Sequence, residues 1–172
     1  MNNNWTVVEV LKHARHDWMN KLQLIKGNLA LDRPERAKSI IDEIVLEAQQ
    51  ESRLSNLKLH RFASLLMTFN WEGHRFTIDY DILNENTVHS LDDAEVFNWF
   101  TTFFALLNEA VEPFLDQQLS ITLQLDKDSA KFFLDFRGIL KSEEEVLNWL
   151  EPQKQAAIEN WSSNQFTIQL SF

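Results

Sequence analysis

Cysteine is absent from this chain of 172 residues, and glycine and proline are scarce. Without cysteine the chain has no disulfides and no thiolate nucleophile, which agrees with a reducing compartment. Three glycines and three prolines leave few tight turns, so most of the chain is expected in regular structure. No stretch approaches the ~18 apolar residues of a membrane span, and the start lacks the features of a signal peptide. The sequence therefore predicts a cytoplasmic protein that does not contact a membrane.

The chain also lacks the excess of positive charge that nucleic-acid binding requires, because its net charge is −10. Its 44% hydrophobic and 12% aromatic content is enough for the core of one domain or two small ones. The charge is unevenly distributed. Residues 1–31 hold four lysines and arginines against two carboxylates, which gives +2 and leaves −12 for the remainder. We therefore expect the N-terminal segment to favour an acidic partner.

Apolar residues recur at three- and four-residue spacing along residues 6–31, which predicts one long helix packed along an apolar stripe. His16 follows a stripe position, so its imidazole is expected to point away from the stripe, toward solvent. On the same side it should be surrounded by polar groups, namely His13, Asp17, Asn20 and Gln23. The stripe itself consists of Val8, Leu11, Trp18, Leu22, Ile25 and Leu29, with Arg15 in the one missing position.

A solvent-facing histidine among polar groups can serve as a reusable nucleophile, because its neutral imidazole offers a nitrogen lone pair near neutral pH. Two other interpretations fit the same spacing. His16 can be an ordinary surface residue of an amphipathic helix. Alternatively, His13, His16 and Asp17 can be half of a metal site, although no other cluster in the sequence offers the remaining ligands.

A second helix is predicted from a turn at residues 32–35 to about Leu57. Asp32 is interpreted as its N-cap, with Glu35 as the capping-box partner and Pro34 in the first turn. Because the turn is so short, the two helices should form an antiparallel hairpin. The apolar faces of both helices are too wide for a single partner helix. We therefore predict that two chains associate into a four-helix bundle.

After residue 58 the hydrophobic period changes, and helices and strands alternate. Strands are predicted at residues 75–82, 119–125, 132–136 and 166–170, with a turn at 126–129. Helices are predicted at residues 62–70, 92–112, 143–150 and about 153–161. The sequence thus predicts an α+β protein with a helical hairpin at residues 1–58 and an α/β domain at residues 59–172. The domain should have about four strands, with helices on one face.

Residues 16–29 (HDWMNKLQLIKGNL) closely resemble the phosphorylated helix of the sporulation initiation phosphotransferases of spore-forming bacilli. The similarity continues through residues 51–58 (ESRLSNLK) and 68–71 (TFNW), whereas residues 75–172 match only in general pattern. The family is related to sensor histidine kinases. The resemblance implies a homodimeric hairpin bundle, followed by a degenerate histidine-kinase-ATPase-like α/β domain. It also implies phosphoryl transfer, without ATP, from a single-domain response regulator through phosphohistidine to a transcription-factor regulator.

The resemblance makes His16 the phosphorylated nucleophile. Asp17 is predicted to accept a hydrogen bond from the second ring nitrogen of His16, and Asn20 is predicted to donate hydrogen bonds to the phosphoryl oxygens. The alternative for both is an ordinary solvated side chain. No cofactor is expected to be bound permanently, and the Mg²⁺ that screens the phosphoryl oxygens should come from the regulator. The residues predicted to contact the regulator are Arg15, Lys21 and Lys26.

A working kinase of this superfamily needs an asparagine-bearing helix that holds Mg²⁺ and a glycine-rich Asp-x-Gly-x-Gly turn. Residues 103–111 (FFALLNEAV) resemble the helix, but Glu109 lies where the asparagine is expected. Residues 135–138 (DFRG) keep only a remnant of the turn, and three glycines cannot build a phosphate-binding loop. The sequence thus predicts no ATP site. Three hypotheses follow: a phosphotransferase, a non-enzymatic dimeric adaptor that binds a regulator, and a histidine autokinase, which the missing glycines disfavour.

Overall fold

The computed structural model describes residues 5–84, 91–126 and 129–172. The chain divides into two compact units, Met1–Ser52 and Arg53–Phe172. The first unit is helical and the second combines helices with a sheet, which confirms the predicted α+β class. Among the described residues, no helix is long and apolar enough to cross a membrane.

The first unit is a hairpin of helix α1 (Val7–Ala30) and most of helix α2 (Pro34–Asn56). Thr6 begins α1 with a capping box that satisfies backbone N–H groups at the helix start. Its hydroxyl accepts the N–H of Glu9 at 3.3 Å, and its own N–H donates to the Glu9 carboxylate at 2.9 Å. The hydrogen bonds from the Thr6 side chain and backbone lower the pKa of Glu9. The helical periodicity of the sequence did not predict this cap.

The turn between the helices differs from the prediction at Asp32. This residue adopts a left-handed backbone with φ 55, and its N–H donates to the carbonyl of Leu29 at 3.1 Å. The N–H of Arg33 donates to the carbonyl of Asn28 at 2.9 Å, which completes a Schellman motif that ends α1. Helix α2 begins at Pro34, so the prediction that Asp32 is its N-cap is wrong. Aspartate suits both positions, because it tolerates the left-handed conformation and also caps helices.

The predicted apolar stripe of α1 is exposed in the single chain, except for Ile25, which is half-buried. Leu11, Trp18, Leu22 and Leu29 are 53% to 58% exposed, and Val8 is 77% exposed. Helix α2 contributes three further exposed apolar side chains, Ile41, Val45 and Leu46. The hairpin therefore has an apolar face that it cannot cover by itself.

The second unit, over the residues that the structure describes, contains a five-stranded sheet with the spatial order β1-β2-β3-β5-β4. The strands are β1 (Thr77–Ile82), β2 (Gln118–Leu125), β3 (Ala130–Arg137), β4 (Ala156–Trp161) and β5 (Gln165–Ser171). The β1–β2 pair is parallel, and the other three pairs are antiparallel. The predicted turn at 126–129 includes residues 127 and 128, which lie outside the described residues.

In the described part of this unit, three helices cover one face of the sheet: α3 (His60–Phe69), α4 (Asp93–Ala110) and α5 (Glu143–Leu150). Phenylalanine builds much of the core between the two layers. The rings of Phe62 in α3, Phe100 in α4 and Phe132 in β3 lie with their centroids 4.7 to 5.7 Å apart. Side chains along β2, β3 and β5 alternate between buried and more exposed, as expected when helices cover a single face.

The predicted helix at residues 153–161 is wrong, because residues 156–161 form the edge strand β4. Within the described residues the sheet therefore has five strands instead of about four. Four of the six residues in β4 are exposed, so the strand lacks the apolar alternation that identifies a half-buried strand in a sequence. Its last residue anchors it: Trp161 stacks on Phe166 with ring centroids 4.7 Å apart, and its Nε1 donates to Glu143 at 2.9 Å. Pairing with β5 thus overrides the helical composition of the segment.

A buried glutamine joins three loops at one end of the sheet. Gln117 is 4% exposed, and its Nε2 donates to the carbonyl oxygens of Arg75 at 3.2 Å and Glu112 at 2.5 Å. Its Oε1 accepts the N–H of Ile139 at 2.8 Å. Because all of these polar groups are paired, the glutamine fixes the loops without the cost of an unsatisfied buried group.

Replacing Gly138 with alanine is expected to destabilise the second unit. A Cβ built at this position would lie 2.6 Å from Gln117 Oε1 and 2.6 Å from the ring of Phe136, so buried neighbours would have to move. Such overpacking costs about 1–3 kcal/mol of unfolding free energy, or several degrees of Tm. Gly73→Ala is the matched control, because nothing lies within 4 Å of a Cβ there. Thermal unfolding followed by circular dichroism checks this, and equal Tm values for the two variants would contradict it.

Candidate functional site

His16 lies on an exposed face of α1, as the helical spacing predicts. Its side chain is 70% exposed. Successive residues of an α-helix are rotated by about 100°, so Trp18 lies about 200° further around the helix. The imidazole is therefore on the opposite side of α1 from the apolar stripe.

Two polar neighbours contact the same ring nitrogen of His16. Asp17 Oδ1 lies 3.3 Å from His16 Nδ1, and Asn20 Nδ2 lies 3.3 Å from that same atom. The structure thus places both predicted site residues beside the imidazole. Within residues 5–84, 91–126 and 129–172, the Nε2 atom of His16 has no hydrogen-bond partner. When Nδ1 carries the ring proton and donates it to Asp17, the lone pair lies on the open Nε2, which is then arranged for nucleophilic attack.

His13 contacts an aromatic ring on the preceding part of the chain. It packs edge-on against Trp5, with ring centroids 5.1 Å apart. Over the described part of the chain, no three or more His, Asp or Glu side chains are grouped so as to bind a metal ion. His13, His16 and Asp17 therefore do not form such a group.

The three cations predicted to contact a partner lie in different surroundings. Arg15 and Lys26 are exposed. Lys21 forms an ion pair with Glu47 of α2, and its Nζ lies 5.9 Å from the centroid of the Trp18 ring. The charge of Lys21 is therefore paired within the hairpin. This pair was not predicted from the sequence, because no local pattern links two residues that lie on different helices.

A shallow groove of about 500 Å³ continues from His16 toward the C-terminal end of α1. Its apolar rim was not predicted: Leu24 is 57% exposed and Leu31 is 65% exposed. Gly27 keeps the groove open, because it has no side chain and nothing lies within 4 Å of a Cβ built there. The imidazole thus stands beside a surface with both amide and apolar groups. The lining residues are Asn20, Gln23, Leu24, Gly27, Asn28 and Leu31.

The segments of the second unit that resemble nucleotide-binding elements make structural contacts. The carboxylate of Glu109 lies 3.4 Å from the guanidinium of Arg75. Asp135 lies 3.3 Å from Arg137 Nε. Gly138 is closely packed against its neighbours. The side chains of Glu109 and Asp135 thus pair with cations of the same unit.

Two solved structures are similar to this chain at low sequence identity. The histidine kinase AdeS of Acinetobacter baumannii is 14% identical, with a TM-score of 0.42, and the match covers 91% of this chain and 97% of that one. A bacterial phosphotransferase solved at 1.7 Å is 12% identical, with a TM-score of 0.41, and the match covers 98% of each chain.

Two family models match consecutive parts of the sequence. Residues 1–57 match "Sensor kinase SpoOB-type, alpha-helical domain", and residues 58–172 match "Sporulation initiation phospho-transferase B, C-terminal". The sporulation initiation phosphotransferase B of Bacillus subtilis (strain 168) is 40% identical over 134 residues. That alignment covers 77% of this chain and 70% of the relative. These matches confirm the resemblance found in residues 16–29, and the chain belongs to the sporulation initiation phosphotransferase B family.

Proposed function

We propose that this chain is a histidine phosphotransferase of a sporulation phosphorelay. It moves a phosphoryl group from the aspartate of a single-domain response regulator, through His16, to the aspartate of a transcription-factor regulator. The observation that carries the proposal is the exposed imidazole of His16, which is held at Nδ1 and has no described partner at Nε2. The family membership supports it, since the Bacillus subtilis relative is named a phosphotransferase of sporulation initiation.

In the first half-reaction the lone pair of His16 Nε2 attacks phosphorus in line. The bond from phosphorus to the aspartate oxygen of the regulator breaks, and the carboxylate leaves with the electron pair. The proton on Nδ1 stays on the ring, so the phosphorylated imidazole carries a positive charge. The carboxylate of Asp17, 3.3 Å from Nδ1, stabilises that charge. In the second half-reaction a carboxylate oxygen of the second regulator attacks phosphorus, and the N–P bond breaks.

Positioning and charge provide most of the catalysis, because phosphoryl transfer passes through a loose transition state. The amide of Asn20 lies one helical turn from His16 and donates to the phosphoryl oxygens. The Mg²⁺ that neutralises these oxygens comes from the acidic pocket of the regulator, and this chain holds no permanent cofactor. The ion pair of Glu109 with Arg75 and the close packing of Gly138 support a second unit that does not use ATP.

We propose further that two chains associate through the apolar stripe of α1. Trp18 and Leu22 are 53% and 54% exposed in the single chain, and burying such side chains favours association. Two hairpins packed in this way form a four-helix bundle, whose obligate interface should bury more than ~2,000 Å². Because His16 lies on the opposite side of α1, both sites stay open to regulators in the homodimer.

A labelling experiment in two steps separates the phosphotransferase from the adaptor and the autokinase. The protein is incubated first with radiolabelled ATP alone, and then with a response regulator labelled on its aspartate. An autokinase takes up label in the first step, a phosphotransferase takes it up only in the second, and an adaptor takes it up in neither. We expect uptake only in the second step, followed by loss of the label to a second regulator.

Reversing a single exposed charge on α1 is expected to slow association with the regulator. Lys26 is suitable because it is exposed, whereas Lys21 is paired with Glu47. Lys26→Glu should lower the association rate constant about threefold at low salt, because steering toward an acidic pocket is weakened. The parent rate should also fall as salt shortens the ~8–10 Å screening length. The measurement is stopped-flow phosphotransfer across a salt series.

The control for that experiment is Lys154→Glu in the second unit, which makes the same charge change at another exposed lysine. It should leave the association rate nearly unchanged. A parent rate that is indifferent to salt, together with equal rates for the two variants, would show that apolar contacts alone drive recognition.

A further inference from the structure

We propose that Asn20 controls the tautomer of His16 and thereby determines when Nε2 can attack. This inference rests on the proposed role of His16 as the nucleophile. Asp17 Oδ1 and Asn20 Nδ2 each lie 3.3 Å from the same atom, His16 Nδ1. Two hydrogen-bonding groups thus compete for a single ring nitrogen.

The two groups require opposite states of that nitrogen. A carboxylate only accepts hydrogen bonds, so Asp17 needs a proton on Nδ1. The amide nitrogen of Asn20 only donates, so it needs the lone pair of Nδ1. A neutral imidazole carries one proton on its two nitrogens, and it cannot satisfy both neighbours at once.

The choice between the neighbours decides whether His16 is reactive. When Nδ1 is hydrogen-bonded to Asp17, the proton is on Nδ1 and the lone pair for the attack is on Nε2. When Nδ1 accepts a hydrogen bond from Asn20, the proton is on Nε2 and that nitrogen cannot attack phosphorus. Asn20 therefore holds part of the free protein in an unreactive tautomer, and Asp17 holds the reactive one.

An incoming phosphoryl group releases this restraint. Hydrogen bonds to anionic oxygens are stronger than those to a neutral ring nitrogen. The amide of Asn20 therefore leaves Nδ1 and donates its hydrogen bond to a phosphoryl oxygen. Nδ1 then takes up a proton from water and pairs with Asp17, while Nε2 gives its proton to water. The net charge is unchanged, and the fraction of His16 that Asn20 had held in the unreactive tautomer becomes nucleophilic when the substrate arrives.

The orientation of the Asn20 amide determines which tautomer of His16 it favours. Its Oδ1 has no hydrogen-bond partner among the residues that the structure describes, and its Nδ2 contacts the ring. The reversed amide would place the oxygen at Nδ1, and Asn20 and Asp17 would then favour the same tautomer. The two orientations therefore predict opposite effects of removing Asn20.

Nitrogen NMR of the full-length protein labelled with ¹⁵N-histidine tests the proposal. Two-bond ¹H–¹⁵N correlations in mildly alkaline buffer report the ratio of Nε2–H to Nδ1–H, and His16→Gln assigns the signals. Removing one hydrogen bond should change that ratio about three- to fivefold. Asn20→Ala should therefore lower the ratio, and Asp17→Ala should raise it. Gln23→Ala is the control, because Gln23 lines the same groove without a hydrogen bond to the ring.

Each outcome has a distinct meaning. A ratio that falls in Asn20→Ala and stays constant in Gln23→Ala supports the proposal. An unchanged ratio, or a ratio that rises as the reversed amide requires, overturns it even if phosphoryl uptake is normal. Absence of phosphoryl uptake by the parent protein would instead overturn the proposed function, and the NMR ratio is measured independently of uptake.

Discussion

Replacing His16 with alanine is expected to reduce phosphoryl acceptance from a regulator to the background rate, while assembly and Tm stay nearly unchanged. The imidazole is 70% exposed and lies outside the apolar stripe, so its loss should change the free energy of unfolding by no more than about 0.5 kcal/mol. Alanine cannot replace the imidazole as the nucleophile, because it offers no lone pair for attack on phosphorus. The measurements are transfer of label from a phosphorylated regulator, sedimentation and thermal unfolding of the same preparation.

The control for this variant is His13→Ala, which removes a histidine one turn earlier on the same helix. His13 packs edge-on against Trp5 at 5.1 Å, so its loss should affect local packing and leave phosphoryl uptake largely intact. An inactive His13 variant beside an active His16 variant would show that the nucleophile has been assigned to the wrong histidine.

Placing a carboxylate in the middle of the α1 stripe is expected to dissociate the homodimer. Leu22 is 54% exposed in the single chain, and we propose that the second copy covers it. In Leu22→Asp two carboxylates would be buried per homodimer, because the two-fold axis repeats each change. The desolvation cost is several kcal/mol for each charge, so the dimer Kd should rise by more than about a thousandfold.

Leu24→Asp is the matched control for the assembly test. Leu24 is a leucine of the same helix with almost the same exposure, 57%, but it lines the groove beside His16. Its replacement should leave the dimer intact. Sedimentation at micromolar concentration compares the two variants and the parent. A parent protein that sediments as a well-folded monomer would contradict the proposed bundle.

The sequence predicts most about the first unit, because its signals are local. A repeat of three and four residues defines α1, and the position of His16 one residue past the stripe gives its exposure directly. Asp17 and Asn20 follow as neighbours of His16 from the same geometry. The competition of both for Nδ1 depends on side-chain rotamers, which helical spacing does not specify.

The features that the sequence did not predict depend on contacts between distant residues. Strand β4 exists because β5 pairs with it, and its own residues lack an alternating pattern. The pair of Lys21 with Glu47 joins two helices, and Gln117 holds loops that are separated along the chain. The prediction that Asp32 is the N-cap of α2 was wrong for another reason. Aspartate suits both the end of one helix and the start of the next.

³¹P NMR and mass spectrometry together locate the phosphoryl group and so test whether His16 is the nucleophile. The protein is mixed first with ATP and Mg²⁺, then with an aspartyl-phosphorylated response regulator, and finally with a second, unphosphorylated regulator. We expect no phosphorylation by ATP, a single phosphoramidate at Nε2 of His16 after the first regulator, and its loss to the second. Phosphorylation by ATP alone, or a phosphoryl group on any residue other than His16, would contradict it.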